Sequence, residues 1–139
     1  MFRTRTAIAA LAITATAFFA GFAAAHSTGN DVKQVFSAAL PNVPGKALSA
    51  VVVNYEPGGK SDAHHHSGSV FAFILSGAVR SEVAPGGPAK VYKAGEFFFE
   101  KPGDSHLVSE NASATEPASL LAVFVADEGA TLTEPGPAK

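Results

Sequence analysis

Short apolar stretches alternate with glycine- and proline-rich breaks along most of the chain. The stretches are rich in β-branched and aromatic side chains, which is typical of β-strands bounded by turns. The predicted strands are Ala50–Tyr55, Val70–Leu75, Ala78–Val83, Lys90–Lys93, Glu96–Glu100 and Ser119–Ala126. Short strands at near-regular spacing predict an all-β barrel or sandwich.

Two flanking segments have different patterns. Asp31–Leu40 (DVKQVFSAAL) places its apolar residues at helical spacing, which predicts one short N-terminal helix covering an end of the barrel. Asp127–Lys139 is rich in proline, glycine and charge, and we predict a loosely held tail there.

The N-terminal residues have the three parts of a secretory signal peptide. Arg3 and Arg5 give a positive start, residues 7–25 carry no charge, and Ala23-Ala24-Ala25 ends the apolar run with small residues. A retained membrane anchor is the alternative, since the run approaches spanning length. Its alanine and threonine content favours cleavage.

The chain is therefore divided into a signal peptide (1–25), an N-terminal arm with the short helix (26–46), a barrel (47–126) and a C-terminal tail (127–139). The mature protein is expected in the periplasm or outside the cell, with no stable membrane anchor after cleavage.

Composition narrows the function classes. The 139 residues include no cysteine, which excludes disulfides, thiolate metal sites and a catalytic thiol. The formal net charge is −2, and loss of the two arginines of the signal peptide leaves eight basic against twelve acidic residues, or −4. No basic run is present, so nucleic acid is not an expected partner.

Candidate chemistry is concentrated in histidine. His64, His65 and His66 are consecutive, and His106 follows Pro102-Gly103. Residues two apart share one face of a strand, so His64 and His66 should point together while His65 turns away. Two imidazoles on one face, with a third from another strand, would form half an octahedron around a metal ion. The alternatives are an exposed polar turn for the triplet and a hydrogen-bonded loop residue for His106.

The spacing of these residues resembles two motifs of the cupin family. Gly58-x5-His64-x-His66 with Gly77 resembles the first motif, and Gly95-x6-Pro102-Gly103-x2-His106-x4-Asn111 resembles the second, lengthened by one residue in two places. The resemblance spans about 48–125. It implies a single double-stranded β-helix barrel, similar to a jelly roll, with His64, His66 and His106 as metal ligands inside it.

One departure from the family pattern changes the expected site. Most metal-binding cupins supply a glutamate shortly after the second histidine, and here that position is Val70. The site is therefore either a three-histidine one or takes a carboxylate from Glu100 or Asp62. Of the two we favour Glu100, as a partner of the ligands or an occasional ligand. The alternative that Glu100 is a solvent-facing strand end stays open with equal weight.

Strand parity also predicts the lining of the barrel. Val70, Ala72 and Ile74 share the inward face, and Phe97, Phe99 and Val108 are further candidates. Phe71 and Phe73 have the opposite parity and are expected to pack against the other sheet or against a partner subunit. A homodimer is therefore left open.

The expected ligand and reaction follow from the donor set. Neutral imidazoles suit Fe(II), Mn(II), Ni(II), Cu(II) or Zn(II), so the expected cofactor is one divalent metal of this group. The favoured function is a metal-dependent dioxygenase or related oxidoreductase acting on a small oxygenated organic molecule, which Arg80 or Glu100 would position or deprotonate. The alternative is a non-catalytic periplasmic module that binds a metal or small ligand, because one fold hosts many functions.

Overall fold

The computed structural model describes residues 27–139, and this part of the chain is all-β. The strands are β1 Ser27–Ala39, β2 Lys46–Ser61, β3 His64–His65, β4 Ser69–Ser76, β5 Ala78–Ala84, β6 Lys90–Lys93, β7 Phe97–Glu100, β8 Ser105–Asn111, β9 Ala118–Asp127 and β10 Glu134–Pro135. Within residues 27–139, no helix is long and apolar enough to cross a membrane. The predicted signal peptide lies outside the described residues.

The strands form two walls that face each other across the interior. The front wall has the order β1-β2-β9-β4-β7, and the back wall has the order β6-β5-β8-β3-β10. The far end of β2 joins the walls, because Lys60 and Ser61 pair with Glu110 and Ser109 on β8. All of these pairings are antiparallel. The predicted all-β barrel is confirmed.

The core lies between the walls and follows the alternation of each strand. On β4, the residues Val70, Ala72 and Ile74 are buried. On β9, every second residue from Ala118 to Ala126 is buried. The predicted turn at Gly77 is tight: its φ is 68°, and a Cβ atom there would lie 2.5 Å from the carbonyl oxygen of Pro117. Glycine is therefore required for both its backbone angle and its size.

The predicted helix at Asp31–Leu40 is wrong, because this segment forms most of β1. β1 pairs with β2 along its length, with a register irregularity between Gln34 and Phe36. A ten-residue helix is marginal in water by itself, whereas the edge of β2 satisfies the backbone of β1. Of the apolar residues that suggested a helix face, Val32, Val35 and Phe36 are instead exposed on the strand.

The C-terminal segment is also bound more firmly than the sequence suggests. β10 pairs with β3, and the side chain of Leu132 is buried in the core. The expectation of a loosely held tail is therefore wrong for residues 130–138, although their composition is that of a loop. Two strands flank the histidine triplet as a result: β8 on one side and β10 on the other.

Candidate metal centre

Three histidines meet on the inner face of the back wall. His64 on β3 and His106 on β8 are registered partners, and His66 follows directly after β3. The ring centroid of His64 lies 4.8 Å from that of His66 and 4.9 Å from that of His106. One ring nitrogen from each residue lies within 4.8 Å of the others, and all three side chains are buried. We call these residues the histidine triad; they could hold a metal ion.

Each ring of the triad is fixed by a hydrogen bond on its other nitrogen. Nδ1 of His64 donates to the carbonyl oxygen of Asp62 at 2.7 Å, and Nδ1 of His66 donates to that of Leu132 at 2.9 Å. Nε2 of His106 lies 2.8 Å from the Ser81 hydroxyl. A carbonyl accepts only, so the tautomers of His64 and His66 are fixed with the proton on Nδ1, and their Nε2 atoms keep the lone pair that a metal ligand needs. The donor set therefore fits a divalent transition metal.

Burial keeps the triad neutral. It is the main cause that lowers the pKa values of all three rings, and it lowers the pKa of His66 to about 4. The neighbouring histidines add to the effect, since a second positive charge at this distance is unfavourable. At neutral pH the rings are therefore uncharged, which is the form that binds a metal.

Glu100 at the end of β7 is the carboxylate beside the triad. Its Oε1 lies 3.3 Å from Nδ1 of His106, and its Oε2 lies 3.7 Å from Nε2 of His66. The side chain is 2% exposed, and Oε2 has no hydrogen-bond partner among residues 27–139. Burial, with a smaller contribution from the charge of Asp104, raises the pKa of Glu100 to about 8. The Glu100–histidine contacts are therefore not ion pairs at neutral pH in the metal-free protein.

Glu100 enters the site from the strand next to Val70. The two residues are registered partners on the antiparallel pair β4 and β7, so their side chains project to the same side. Glu100 thus brings a carboxylate to the place where Val70 has none. Asp62, the other candidate, has an exposed side chain and contributes its backbone carbonyl to His64 instead.

The other predicted catalytic residue, Arg80, is not at the site. It lies on β5 between the inward residues Val79 and Ser81, and its guanidinium contacts the Glu110 carboxylate at 2.6 Å on the outer surface. The predicted role of Arg80 in positioning a substrate is therefore wrong. The alternation of β5 places Ser81, not Arg80, against the triad.

A cavity of about 340 Å³ opens in front of the triad. Most of its lining is apolar and comes from the front wall, in which β1 contributes Asn30, Asp31 and Val32. The apolar lining residues are Val32, Val51, Val53, Val70, Ala72, Phe98, Leu120, Ala122 and Phe124. No lysine or arginine is among the described residues that line it.

The predicted inward face of β4 is confirmed for Val70, Ala72 and Ile74, whereas the further candidates Phe97, Phe99 and Val108 do not line the cavity. Ile74 is buried in the core beyond the cavity, and Val108 does not line it. On β7 the parity is the reverse of the expectation: Phe97 and Phe99 are exposed, while Phe98 and Glu100 face inward. Glu100 and Phe99 are adjacent and cannot both face the interior of a regular strand.

Polar residues that sequence reasoning missed lie along one side of the cavity. The hydroxyl of Tyr55 lies 2.8 Å from that of Ser109 and 2.9 Å from that of Ser61. Burial raises the pKa of Tyr55, so its hydroxyl keeps its proton. Tyr55 could have been found from its inward parity with Val51 and Val53, whereas Ser61 and Ser109 carry no signal in the sequence.

The C-terminal residues cross the triad as a strap, which we define as residues 130–138. Its backbone carbonyls at Leu132 and Gly136 accept hydrogen bonds from His66 and His65, and Thr133 lines the cavity. As predicted, His65 turns away from the triad, and its ring holds the strap at 2.9 Å. The orientation of His66 therefore depends on a segment distant in sequence.

Comparison with known proteins identifies the same fold. A family model described as a cupin domain matches residues 51–124, which is more than half of the chain. A cupin-like protein from Thermotoga maritima is 20% identical, with a TM-score of 0.59 over 81% of this chain and 80% of its own. A conserved protein with a double-stranded β-helix domain from Klebsiella pneumoniae is 25% identical, with a TM-score of 0.58 over 76% of this chain and 84% of its own.

An oxalate decarboxylase is also similar. It is 28% identical with a TM-score of 0.56, and the match covers 73% of this chain but 27% of that enzyme. No curated protein matches the chain significantly.

Proposed function

The chain belongs to the cupin domain family, and from this premise we propose that it is a metal-dependent oxidoreductase of the dioxygenase type, acting on a small oxygenated organic molecule. The observation that carries the proposal is the buried Glu100 carboxyl, which faces the histidine triad at the base of an apolar cavity. A buried carboxyl oxygen without a hydrogen-bond partner lowers stability, and groups of this kind are concentrated at functional sites.

The triad supplies three neutral donors and leaves further coordination positions for substrate. Fe(II) is the preferred ion for this chemistry, with Mn(II), Ni(II), Cu(II) and Zn(II) as the other ions that suit imidazole. When bound, a redox-active ion supplies Lewis acidity and the activation of dioxygen. The protein supplies the orientation of the rings through Asp62, Leu132 and Ser81.

Glu100 is positioned to move a proton. A pKa of about 8 lies close to neutral pH, so the carboxyl can accept a proton from a substrate hydroxyl or return it with little cost. A cation in the triad would favour the ionised form of Glu100 and so make it a stronger partner for the metal and a competent base.

The cavity selects the substrate class. About 340 Å³ with an apolar front wall suits a compact molecule that buries a hydrocarbon part. Two adjacent oxygen atoms, as in an enol, a diketone or a phenolic acid, would face the triad. The described lining has no lysine or arginine, so the divalent ion would be the positive charge that meets an anionic group of the substrate.

Metal analysis followed by an activity screen tests the proposal. Protein produced from the full sequence should contain close to one equivalent of a divalent metal, and oxygen uptake should appear with a member of the diketone, enol or phenolic acid classes. Glu100→Gln should lower kcat at least about 100-fold, while the exposed control Glu116→Gln should not. A metal-free protein would refute the proposal. A metal-bound protein that consumes no oxygen with any class would favour the alternative, a non-catalytic binding module.

Export forms a separate part of the proposal. The charged start, the apolar run and the small residues at 23–25 support secretion to the periplasm or beyond. Intact-mass measurement of protein from the native host should give a chain beginning between Ala24 and Ser27. Retention of Met1 in a membrane fraction would refute export without affecting the metal centre.

A further inference from the structure

Four polar side chains are joined by hydrogen bonds along one side of the cavity. The amide nitrogen of Asn30 donates to the hydroxyl of Ser61 at 2.7 Å. The hydroxyl of Tyr55 lies 2.9 Å from that of Ser61 and 2.8 Å from that of Ser109. All four residues line the cavity. We call Asn30, Ser61, Tyr55 and Ser109 the hydroxyl row.

The hydroxyl row has one hydrogen more than its internal contacts use. Its three hydroxyl groups carry one hydrogen each, and they make two hydroxyl–hydroxyl contacts, so one hydrogen is left to donate elsewhere. An amide nitrogen only donates, so Ser61 accepts from Asn30. A hydroxyl that accepts a hydrogen bond becomes a stronger donor, which favours bonds that run in one direction, away from Asn30 and towards Ser109. The free hydrogen is therefore on Ser109, which has no hydrogen-bond partner except Tyr55 among residues 27–139.

The hydroxyl row lies one step along β8 from the histidine triad. On this strand His106 is registered with His64, and Ser109 is registered with Ser61. Ser109 follows His106 by three residues, which corresponds to about 10 Å of strand. The cavity thus has polar groups at two separate places, and its apolar lining lies beside both.

We propose that Ser109 binds a second oxygen atom of the substrate, at the end opposite to the oxygen atoms that face the triad. This inference rests on the proposed function, because it adds a requirement on the substrate of the same site. The free hydrogen of Ser109 donates to a carbonyl or hydroxyl oxygen. Since the donor is neutral and no lysine or arginine is among the described lining residues, a neutral oxygen is preferred there to a carboxylate. The substrate class is a compact molecule with metal-binding oxygens at one end and a neutral oxygen at the other.

The hydroxyl row also acts against substrates that are apolar at this end. Tyr55 is 2% exposed and Ser109 is 5% exposed. A hydrocarbon group placed against the row would leave the free hydrogen of Ser109 without an acceptor, and a buried unsatisfied donor costs free energy. By contrast, the hydroxyls of Ser37 and Ser49 contact each other at 3.0 Å outside the cavity lining, where they meet no substrate.

Two matched hydroxamates test the proposal on the Zn(II)-loaded protein. 4-Hydroxybenzohydroxamate and 4-methylbenzohydroxamate have the same metal-binding group and nearly the same shape, and a benzene ring separates that group from the substituent that differs. Titration calorimetry should give a Kd about tenfold lower for the hydroxy compound than for the methyl compound. The ratio of the two Kd values is the quantity to follow, because general damage to the site weakens both compounds alike.

Substitutions at position 109 assign the ratio to its hydroxyl. Ser109→Ala should lower the ratio from about ten to about one, whereas Ser109→Thr keeps a hydroxyl and should retain most of the preference. Ser49→Ala is the matched control and should keep the full ratio, since Ser49 is a buried serine in a hydroxyl contact outside the cavity lining. Circular dichroism identifies a variant that fails to fold. If Ser109→Ala does so, Ser109→Val replaces it, because valine matches threonine in shape and lacks only the hydroxyl.

The outcomes separate this inference from the proposed function. Equal affinity of the wild type for the two hydroxamates, or an unchanged ratio in a folded variant without the hydroxyl, would overturn the role of Ser109 and leave the proposed function intact. Binding of neither compound would overturn both, because the cavity would then admit no metal-bound ligand. A tenfold ratio in a protein that consumes no oxygen would support the role of Ser109 and refute the oxidoreductase function.

Discussion

Replacement of Glu100 by glutamine isolates the electrostatics of the metal centre. Glutamine keeps the shape of the side chain and removes its ionisation. In the folded, metal-free protein the pKa of Glu100 is raised to about 8 from an ordinary 4.5. The stability that this shift contributes is present below pH 4.5 and is lost as the pH rises through 8, because the unfolded chain ionises first.

The size of the effect follows from these two values. Between pH 6 and pH 8 the free energy of unfolding of the wild type should fall by roughly 2 kcal/mol relative to that of Glu100→Gln. The contribution of the triad to stability depends on pH in the opposite direction. Its lowered pKa values stabilise the folded protein above pH 6.5, and this stability is lost as the pH falls towards 4. That contribution is common to both proteins and cancels in the difference.

Urea unfolding of chelator-treated protein at pH 6, 7 and 8 measures the difference. The exposed control Glu116→Gln should follow the wild type at every pH. Saturating Zn(II) should raise the free energy of unfolding of the wild type more than that of Glu100→Gln, because a cation holds Glu100 ionised. Parallel pH profiles for wild type and Glu100→Gln would refute a buried, protonated Glu100, and equal stabilisation by Zn(II) would refute its contact with the metal.

Further substitutions test the ligands and their supports. Alanine at any member of the histidine triad should lower metal occupancy at least about tenfold, whereas His65→Ala should keep it, as read by elemental analysis of purified protein. Removal of residues 131–139 should weaken Zn(II) binding about 10–100-fold in a calorimetric titration, because His66 loses its carbonyl partner; unchanged affinity would show that the strap is dispensable. Ser81→Ala should weaken Zn(II) binding less than this deletion in the same titration, because it removes the hydroxyl that contacts His106. The double variant Val70→Glu with Glu100→Val should recover the metal affinity that Glu100→Val alone loses, and failure of recovery would mean that the two positions do not reach the same point.

The spacing of His64 and His66 was sufficient to predict two members of the triad. Alternation along a strand places His64 and His66 on one side and His65 on the other, and this depends only on local backbone geometry. The third member, His106, could be assigned because its motif resembles that of a known family. The strands β2, β4, β5, β6, β7 and β9 were predicted because their short apolar stretches end at glycine and proline, whereas β3 and β8, which carry the triad, were not among the predicted strands.

The errors lie where distant segments determine the structure. Asp31–Leu40 has a helical pattern, yet most of it pairs with β2 as a strand, with a register irregularity between Gln34 and Phe36. The strap has the composition of a loop, and its place is fixed by side chains of the histidine triplet rather than by its own sequence. For Arg80 and Phe97 the local alternation contained the answer. Arg80 lies between the inward residues Val79 and Ser81. Phe97 has the opposite parity to the inward residue Glu100.

The position of Glu100 shows how a site can keep its chemistry while its sequence pattern changes. Opposite residues of an antiparallel pair have Cβ atoms about 4.5–5.5 Å apart, and a glutamate side chain spans that distance. Glu100 on β7 can therefore reach the space beside the triad that a glutamate at position 70 of β4 would reach. A motif search along the chain finds valine at that position and indicates a three-histidine site. The register of the sheet indicates a three-histidine site with a carboxyl beside it, and that carboxyl is the group on which the proposed chemistry depends.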